Sequence, residues 1–159
     1  MTDSETIMWL KQSPLEEEIG QHEDGGKFIP YPIIVSKLDR LSPHSWETKN
    51  FHHFFFHCKD GRIKVSGSID VVVHYNGLTR TLSGAASFYT EEYAPNEHWG
   101  AKVKSLAVCN AVLVLGEQMG WNLNPQEDQP QDSFSGPITP KKQKVARTME
   151  NSVKLKPDA

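Results

Sequence analysis

The segment between Asp60 and Asn76 constrains the fold of this chain most. Apolar residues occupy odd positions from Ile63 to Val73, and polar residues occupy most of the even ones. Alternation with a period of two predicts a β-strand with one buried face. Asp60-Gly61 and Asn76-Gly77 flank this strand, and both dipeptides are typical of tight hairpin turns. The sequence therefore predicts two consecutive hairpins, and hence a three-stranded antiparallel meander.

The outer strands of the meander are predicted at residues 46–58 and 78–88. The first is rich in aromatic residues, which suit a strand, and it contains a run that looks like a metal site, His52-His53-Phe54-Phe55-Phe56-His57-Cys58. Strand alternation places His53 and His57 on one side and His52 and Cys58 on the other. Neither side offers the three or four close ligands that zinc requires. We therefore expect no metal here, but a strand packed through its Phe residues.

A short helix precedes the meander and a long helix follows it. The apolar residues of the short helix share one face, and a helix-ending dipeptide follows them: Ile34, Leu38 and Leu41, then Ser42-Pro43. The long helix runs from roughly Pro95 to Met119, because proline suits a first turn and Gly120 suits a C-terminal cap. Residues 106–115 are apolar nearly all round, which indicates burial on more than one side. A domain of this size cannot wrap such a helix alone, so we expect another subunit to cover it.

Composition divides the chain into three parts. Hydrophobic residues make up 37% of the chain, below the usual share for globular proteins, and the deficit lies at the two ends. Residues 1–26 are expected to form a flexible acidic arm, since residues 1–27 hold seven carboxylates and two lysines. Residues 27–124 are expected to form an α+β core of short helix, three-stranded meander and long buried helix. Residues 125–159 are expected to be a disordered basic tail.

Several classes of protein are disfavoured. No apolar run approaches the roughly 20 residues that span a bilayer. Cys58 and Cys109 are isolated, which favours a reducing cytoplasm over a disulfide framework. No phosphate-binding loop, nucleophile elbow or zinc-protease motif appears in the sequence. We therefore expect a binding protein that needs neither catalysis nor a cofactor.

The order of elements and several short motifs point to one family. The motifs run from residue 26 to residue 120: Gly26-Lys27-Phe28-Ile29-Pro30-Tyr31, Trp46, Asp60-Gly61-Arg62, Ile69-Asp70-Val71-Val72-Val73, Asn76-Gly77, Leu82-Ser83-Gly84-Ala85-Ala86-Ser87, Leu115-Gly116 and Met119-Gly120. Together, in this order and spacing, they resemble the single-strand annealing protein superfamily, in particular the Rad-fifty-two type and its phage relatives of the Sak kind.

The resemblance implies both an architecture and a function. It implies a β-β-β-α core that assembles into rings or helical filaments, binds single-stranded DNA in a basic groove and pairs complementary strands during homologous recombination and DNA repair. Partners would be other copies, single-stranded DNA, and a single-strand-binding protein or an exonuclease. One departure stands out, because such proteins usually carry Lys or Arg in the middle of the long helix. The corresponding turn here holds Cys109, Asn110 and Leu113.

Candidate DNA contacts are the cations that can follow a phosphate backbone and the aromatic rings that can stack on bases. The core cations are Lys27, Arg62, Lys64, Arg80, Lys102 and Lys104, and those of the tail are Lys141, Lys142, Lys144, Arg147, Lys154 and Lys156. Helical geometry separates Lys102 from Lys104 by about 200°, so both cannot face one groove. For the aromatic residues near the long helix, Tyr89, Tyr93 and Trp99, core packing is favoured over base stacking.

Two other functions remain open at the level of sequence. A hotdog-like ligand-binding protein or enzyme also wraps strands around an apolar helix, but it needs more strands than the sequence predicts. Such a fold usually places a carboxylate or polar catalytic group on its helix, and the helix here offers only Asn110 and Glu117 for that role. The other alternative is a protein-interaction adaptor without a role in DNA binding. Oligomer size separates these classes, because annealing proteins form large rings whereas hotdog proteins form dimers or tetramers.

Overall fold

The computed structural model describes residues 1–91 and 98–124. In this part of the chain the helices are α1 (Asp3–Leu10), α2 (Tyr31–Leu41) and α3 (Trp99–Val112). The strands are β1 (Gly20–Gln21), β2 (Lys27–Phe28), β3 (Glu47–His57), β4 (Arg62–Tyr75) and β5 (Leu78–Glu91). Short 3₁₀ turns span Glu16–Glu18, Leu113–Leu115 and Glu117–Met119. None of the helices in this part is long and apolar enough to cross a membrane.

The predicted meander is confirmed. Strands β3, β4 and β5 form an antiparallel sheet in that order, while β1 and β2 form a separate small hairpin. Both predicted turns adopt the left-handed backbone that such hairpins require, with positive φ at Gly61, Asn76 and Gly77. The pairing of β4 with β5 runs without a break from one turn to the sheet end. By contrast, β3 has an irregularity between Lys49 and His52.

Helix α3 packs on one face of this sheet, which we call the inner face, and the α+β class is confirmed. The odd-numbered apolar residues of β4 lie on the inner face, and Val65, Val71 and Val73 are fully buried there. The closest approach lies at Gly84 of β5, where a Cβ atom would collide with the backbone of Ala107 and Ala111. Sheet and helix can therefore touch only because position 84 lacks a side chain. The remaining core comes mainly from α2.

The expectation that residues 1–26 form a flexible arm is wrong for helix α1, which packs into the core. Trp9 and Leu10 of α1 are 7% and 6% exposed and belong to the main core cluster. The helix is capped by Thr2 in a capping box with Glu5, which stabilises its first turn. Gly116 adopts φ 146° and leaves no room for a Cβ beside the Leu10 carbonyl. This contact between distant segments has no local signature in the sequence.

The long helix is shorter than expected and is buried on one side only. Its N-terminal boundary at Pro95 lies outside the described residues, and the regular helix ends at Val112, beyond which the chain continues as two 3₁₀ turns. Val112 is fully buried, whereas Leu106 and Val114 are 37% and 56% exposed. The apolar run therefore comprises a core face and a separate solvent-facing stripe.

Candidate nucleic-acid interface

The face of the sheet that lies away from α3, which we call the outer face, carries aromatic and basic side chains next to one another. Phe56 of β3, Lys64 of β4 and Tyr89 of β5 lie in register across the three strands. Phe54 follows on the same face, because side chains alternate along a strand. Phe54, Phe56 and Tyr89 are each more than half exposed. The sheet therefore presents three aromatic rings around a central lysine.

Two of the predicted cations, Arg62 and Lys64, contact the ring of Tyr89. The guanidinium of Arg62 lies 4.5 Å from the ring centroid of Tyr89, and the Lys64 ammonium lies 6.0 Å from it. At these distances a ring attracts a cation through its quadrupole, by roughly 0.5–1 kcal/mol at exposed sites. The prediction that Arg62 and Lys64 point outward on one face is thus confirmed. Their shared contact with Tyr89 also contradicts the expectation that this aromatic residue packs in the core.

An acidic neighbour partly neutralises Arg62. The carboxylate of Asp60 forms an ion pair with Arg62 at 2.7 Å and also accepts a hydrogen bond from the Arg62 backbone amide. The hydrogen bond from the Arg62 side chain holds the pKa of Asp60 below its usual range, and the same bond raises the pKa of Arg62. Both side chains are about half exposed. Because exposed ion pairs of this kind are weak, a phosphate group can compete with Asp60 for the guanidinium.

Lys102 and Lys104 lie on α3, on the inner side of the sheet, and they diverge as helical geometry predicts. The Lys102 ammonium lies 4.4 Å from the ring centroid of Phe88 on β5, whereas that of Lys104 lies 5.7 Å from Phe51 on β3. Phe88 and Tyr89 are consecutive residues on an edge strand and face opposite sides of the sheet. Cations therefore flank the end of β5 on both faces: Arg62 and Lys64 on the outer face and Lys102 on the inner.

Two of the predicted core cations lie elsewhere. Arg80 pairs with Val73, eleven residues beyond Arg62 along β4, which corresponds to about 37 Å at the rise of an antiparallel strand. There it donates a 2.8 Å hydrogen bond to the Tyr75 hydroxyl. Lys27 lies on β2, where its backbone exchanges hydrogen bonds with the Asn124 side chain. Neither cation belongs to the cluster around Tyr89.

The tail cations were also predicted as DNA contacts, and they lie outside the described residues. They are Lys141, Lys142, Lys144, Arg147, Lys154 and Lys156. Tyr93, the third aromatic candidate, falls in the gap between residues 91 and 98. Trp99, by contrast, packs as predicted, since it contacts the smaller core cluster and lies edge-to-face with Phe55 at 6.0 Å.

The exposure of the β3 phenylalanines contradicts the expectation of a strand packed through these residues. Phe54, Phe55 and Phe56 are 52%, 53% and 56% exposed, and only Phe51 packs against the core clusters. Consecutive residues of a strand face opposite sides, so three adjacent aromatic residues cannot all reach one core. This alternation could have been read from the sequence, and it predicts that Phe54 and Phe56 both point to the outer face.

The middle turn of the long helix, where the resemblance leads one to expect cations, has structural roles. The Asn110 side chain donates a 2.8 Å hydrogen bond to the carbonyl of Ala85 and so links α3 to β5. Cys109 is partly buried against the core, and this burial raises the pKa of its thiol to about 11. Leu113 is half-buried in the following 3₁₀ turn. These three side chains therefore provide no positive charge.

The described residues contain no group of three His, Cys, Asp or Glu side chains that could hold a metal ion. The cluster around Tyr89 combines cations with aromatic rings, which is the chemistry that binds a single strand without reading its sequence. No protein-family model matches this chain, and no curated protein sequence is significantly similar to it.

Proposed function

We propose that this protein binds single-stranded DNA and anneals complementary strands, as an oligomeric ring or filament without catalysis. Such a protein would serve homologous recombination or DNA repair in the cytoplasm of a bacterial or phage-infected cell. The observation that carries the proposal is the row formed by Phe56, Lys64 and Tyr89, together with Arg62 above the same tyrosine ring.

The chemistry of this row fits a nucleic-acid single strand. Exposed aromatic rings stack on bases of any sequence, and each stacked base contributes about 1–3 kcal/mol. Adjacent β-strands lie about 4.8 Å apart. A DNA single strand that crosses the sheet therefore meets a ring, then a cation, then a ring. Lys102 beside Phe88 extends the positive charge around the edge of β5. The proposed path therefore runs over the outer face and past this edge.

Assembly is supported by surfaces that a single copy leaves uncovered. In the described residues β3 and β5 are the edges of the sheet, and unpaired sheet edges invite strands from neighbouring copies. Leu106 and Val114 remain exposed on the helix side. A hotdog-like enzyme is less well supported, because α3 lies on one face of a three-stranded sheet rather than inside a wrapped one.

The test is a titration of labelled oligo-dT at several salt concentrations. Each phosphate that a lysine neutralises contributes about −0.7 to the slope of log affinity against log salt. We expect Lys64→Gln to weaken binding and to make that slope shallower by about this amount. The matched control is Lys11→Gln, which removes the same charge from an exposed position at the end of α1, outside the sheet. Equal binding by both variants would remove Lys64 from the interface, and no binding by the native protein would refute the proposal.

A further inference from the structure

A groove between α1 and α2 is built from side chains that the proposed DNA interface does not use. Two adjoining cavities of about 500 and 430 Å³ share Trp9, Gln12 and Arg40 in their walls. We define the α1–α2 groove by six residues, namely Met8, Trp9, Gln12, Leu15, Lys37 and Arg40. The groove is open to solvent and lies on the N-terminal segment whose packing the sequence did not reveal.

Two cations lie in this groove, and one of them is fixed by an ion pair. Lys37 is 5% exposed, and its ammonium donates hydrogen bonds to the Glu18 carboxylate, at 2.8 Å, and to the Gln118 side chain. A buried ammonium requires such partners. The Lys37 charge is thus already balanced by Glu18, and this ion pair forms part of the floor of the groove.

Arg40 supplies the second cation, and its donors are available. Its guanidinium lies 4.9 Å from the ring centroid of Trp9, and it makes no hydrogen bond or ion pair with any side chain in residues 1–91 or 98–124. The flat Trp9 ring holds the guanidinium in place. A guanidinium held in this way is pre-organised for a carboxylate, which it binds through two parallel hydrogen bonds.

The walls on both sides of Arg40 are apolar. Met8 is 63% exposed and Leu15 is 61% exposed, and they belong to the two cavities that meet at Arg40. Methionine adapts to differently shaped partners because its side chain is flexible and polarizable. An occupant must therefore combine an anionic group with apolar side chains on either side of it.

We propose that the α1–α2 groove binds a peptide segment of a partner protein that carries a single carboxylate between apolar side chains. A carboxylate of that segment binds the Arg40 guanidinium, and its apolar side chains lie against Met8 and Leu15. A nucleic-acid strand suits the groove less well, because the carboxylates of Glu5 and Glu18 also line it and repel a continuous row of phosphates. This inference concerns a different surface from the DNA interface and holds independently of the proposed function.

The test uses a fluorescein-labelled peptide with a single aspartate flanked by leucine residues, titrated with the full-length protein. We expect saturable binding that falls about tenfold in Arg40→Gln, since a hydrogen-bonded ion pair of this kind is removed. Met8→Glu should also weaken binding, because it places a like charge beside the peptide. Both changes affect exposed side chains, so the fold should survive, and thermal denaturation of each variant checks this.

Control measurements separate three effects: the loss of any positive charge from the protein, the carboxylate of the peptide, and the class of ligand. Lys59→Gln removes one positive charge far along the chain and should leave peptide binding unchanged. A peptide with asparagine in place of aspartate should bind at least tenfold more weakly. Equal binding of the two peptides, or of native protein and Arg40→Gln, would overturn the proposal. It would also fall if Arg40→Gln lost oligo-dT binding while the aspartate peptide failed to bind, since the groove would then belong to the DNA interface.

Discussion

The guanidinium of Arg62 lies 4.5 Å from the ring centroid of Tyr89, and Asp60 forms an ion pair with the same guanidinium at 2.7 Å. The contact orients a planar cation over an exposed ring, so that one side chain can meet a phosphate while the other meets a base. Lys64, opposite Tyr89 in the sheet register, adds a second charge within reach of the same ring. These groups form the surface to which the proposed function assigns single-stranded DNA.

The first prediction concerns the ring itself. Tyr89→Ala should weaken oligo-dT binding about tenfold, because one stacking platform is removed and two cations lose their support. Tyr89→Phe should keep most of the affinity, since the aromatic face remains. Fluorescence anisotropy with labelled oligo-dT measures both. Loss of affinity in both variants would implicate the hydroxyl, and no loss in either would exclude Tyr89 from the interface.

The second prediction concerns Asp60, whose carboxylate would compete with a phosphate for Arg62. Asp60→Asn should raise oligo-dT affinity about two- to threefold at low salt, in keeping with the small energy of an exposed ion pair. The asparagine side chain can still accept a hydrogen bond from the Arg62 backbone amide, so the hairpin turn should persist. In the background of Arg62→Gln the same change should have much less effect. Additive effects of the two changes would show that Asp60 acts through the electrostatic potential of the whole surface and not through Arg62.

The meander could be predicted because its signals are local. Alternation along β4 and the dipeptides Asp60-Gly61 and Asn76-Gly77 depend on neighbours in the sequence, and the structure confirms them. The burial of Trp9 could not be predicted in the same way. Its neighbour Leu10 packs beside a distant turn at Gly116, where a side chain would strike the Leu10 carbonyl. A weakly amphipathic segment thus becomes part of the core through an approach of two segments that no local pattern encodes.

The candidate site was only partly predictable for a similar reason. The outward direction of Arg62 and Lys64 follows from strand alternation alone. The exposure of Phe54 and Phe56 depends on two further facts, namely that β3 is an edge strand and that α3 covers only the inner face. The two predicted hairpin turns already place Arg62 and Arg80 at opposite ends of the sheet, and the register of β4 with β5 confirms this.

The third prediction tests assembly through the exposed stripe of the helix side. Val114→Glu should reduce the size of the proposed oligomer, because it places a charge on an apolar surface that is 56% exposed in one copy. Val112→Glu is unsuitable, since Val112 is fully buried and a charge there should unfold the core. Ile7→Glu is the matched control, as Ile7 is similarly exposed but lies on α1, which belongs to neither the sheet edges nor the stripe. Light scattering after size exclusion measures the mass, and an unchanged mass in Val114→Glu would place the subunit interface elsewhere.

The fourth prediction concerns pH and the irregular part of β3. Asp70 accepts hydrogen bonds from the side chains of Asn50, at 2.8 Å, and Ser83, at 2.6 Å. These bonds, that from Asn50 first, hold the pKa of Asp70 below its usual value. A group whose pKa is lowered by folding stabilises the folded state above its ordinary pKa, and that contribution disappears as pH falls through the folded value.

Stability should therefore decline more steeply between about pH 5 and pH 3 in the native protein than in Asp70→Asn, which lacks the titrating group. The readout is the midpoint of chemical denaturation at each pH. Glu17→Gln serves as the control, because Glu17 has no side-chain hydrogen bond or ion pair within residues 1–91 and 98–124 and should leave the native pH profile in place. Parallel profiles for native protein and Asp70→Asn would show that the two hydrogen bonds carry no net pH-dependent stability.

The last prediction concerns residues 125–159, whose six cations at 141, 142, 144, 147, 154 and 156 are the densest positive charge in the sequence. Truncation after Asn124 should leave the oligomer intact, because these residues hold few large apolar side chains and so contribute little burial. It should lower oligo-dT affinity and make the salt slope shallower, by about 0.7 for each phosphate that the tail had neutralised. The truncated protein should still respond to Lys64→Gln, since the cluster around Tyr89 lies wholly within the part that is kept. Full affinity after truncation would assign binding to the core cations alone, whereas complete loss of binding would show that the outer face cannot hold a strand by itself.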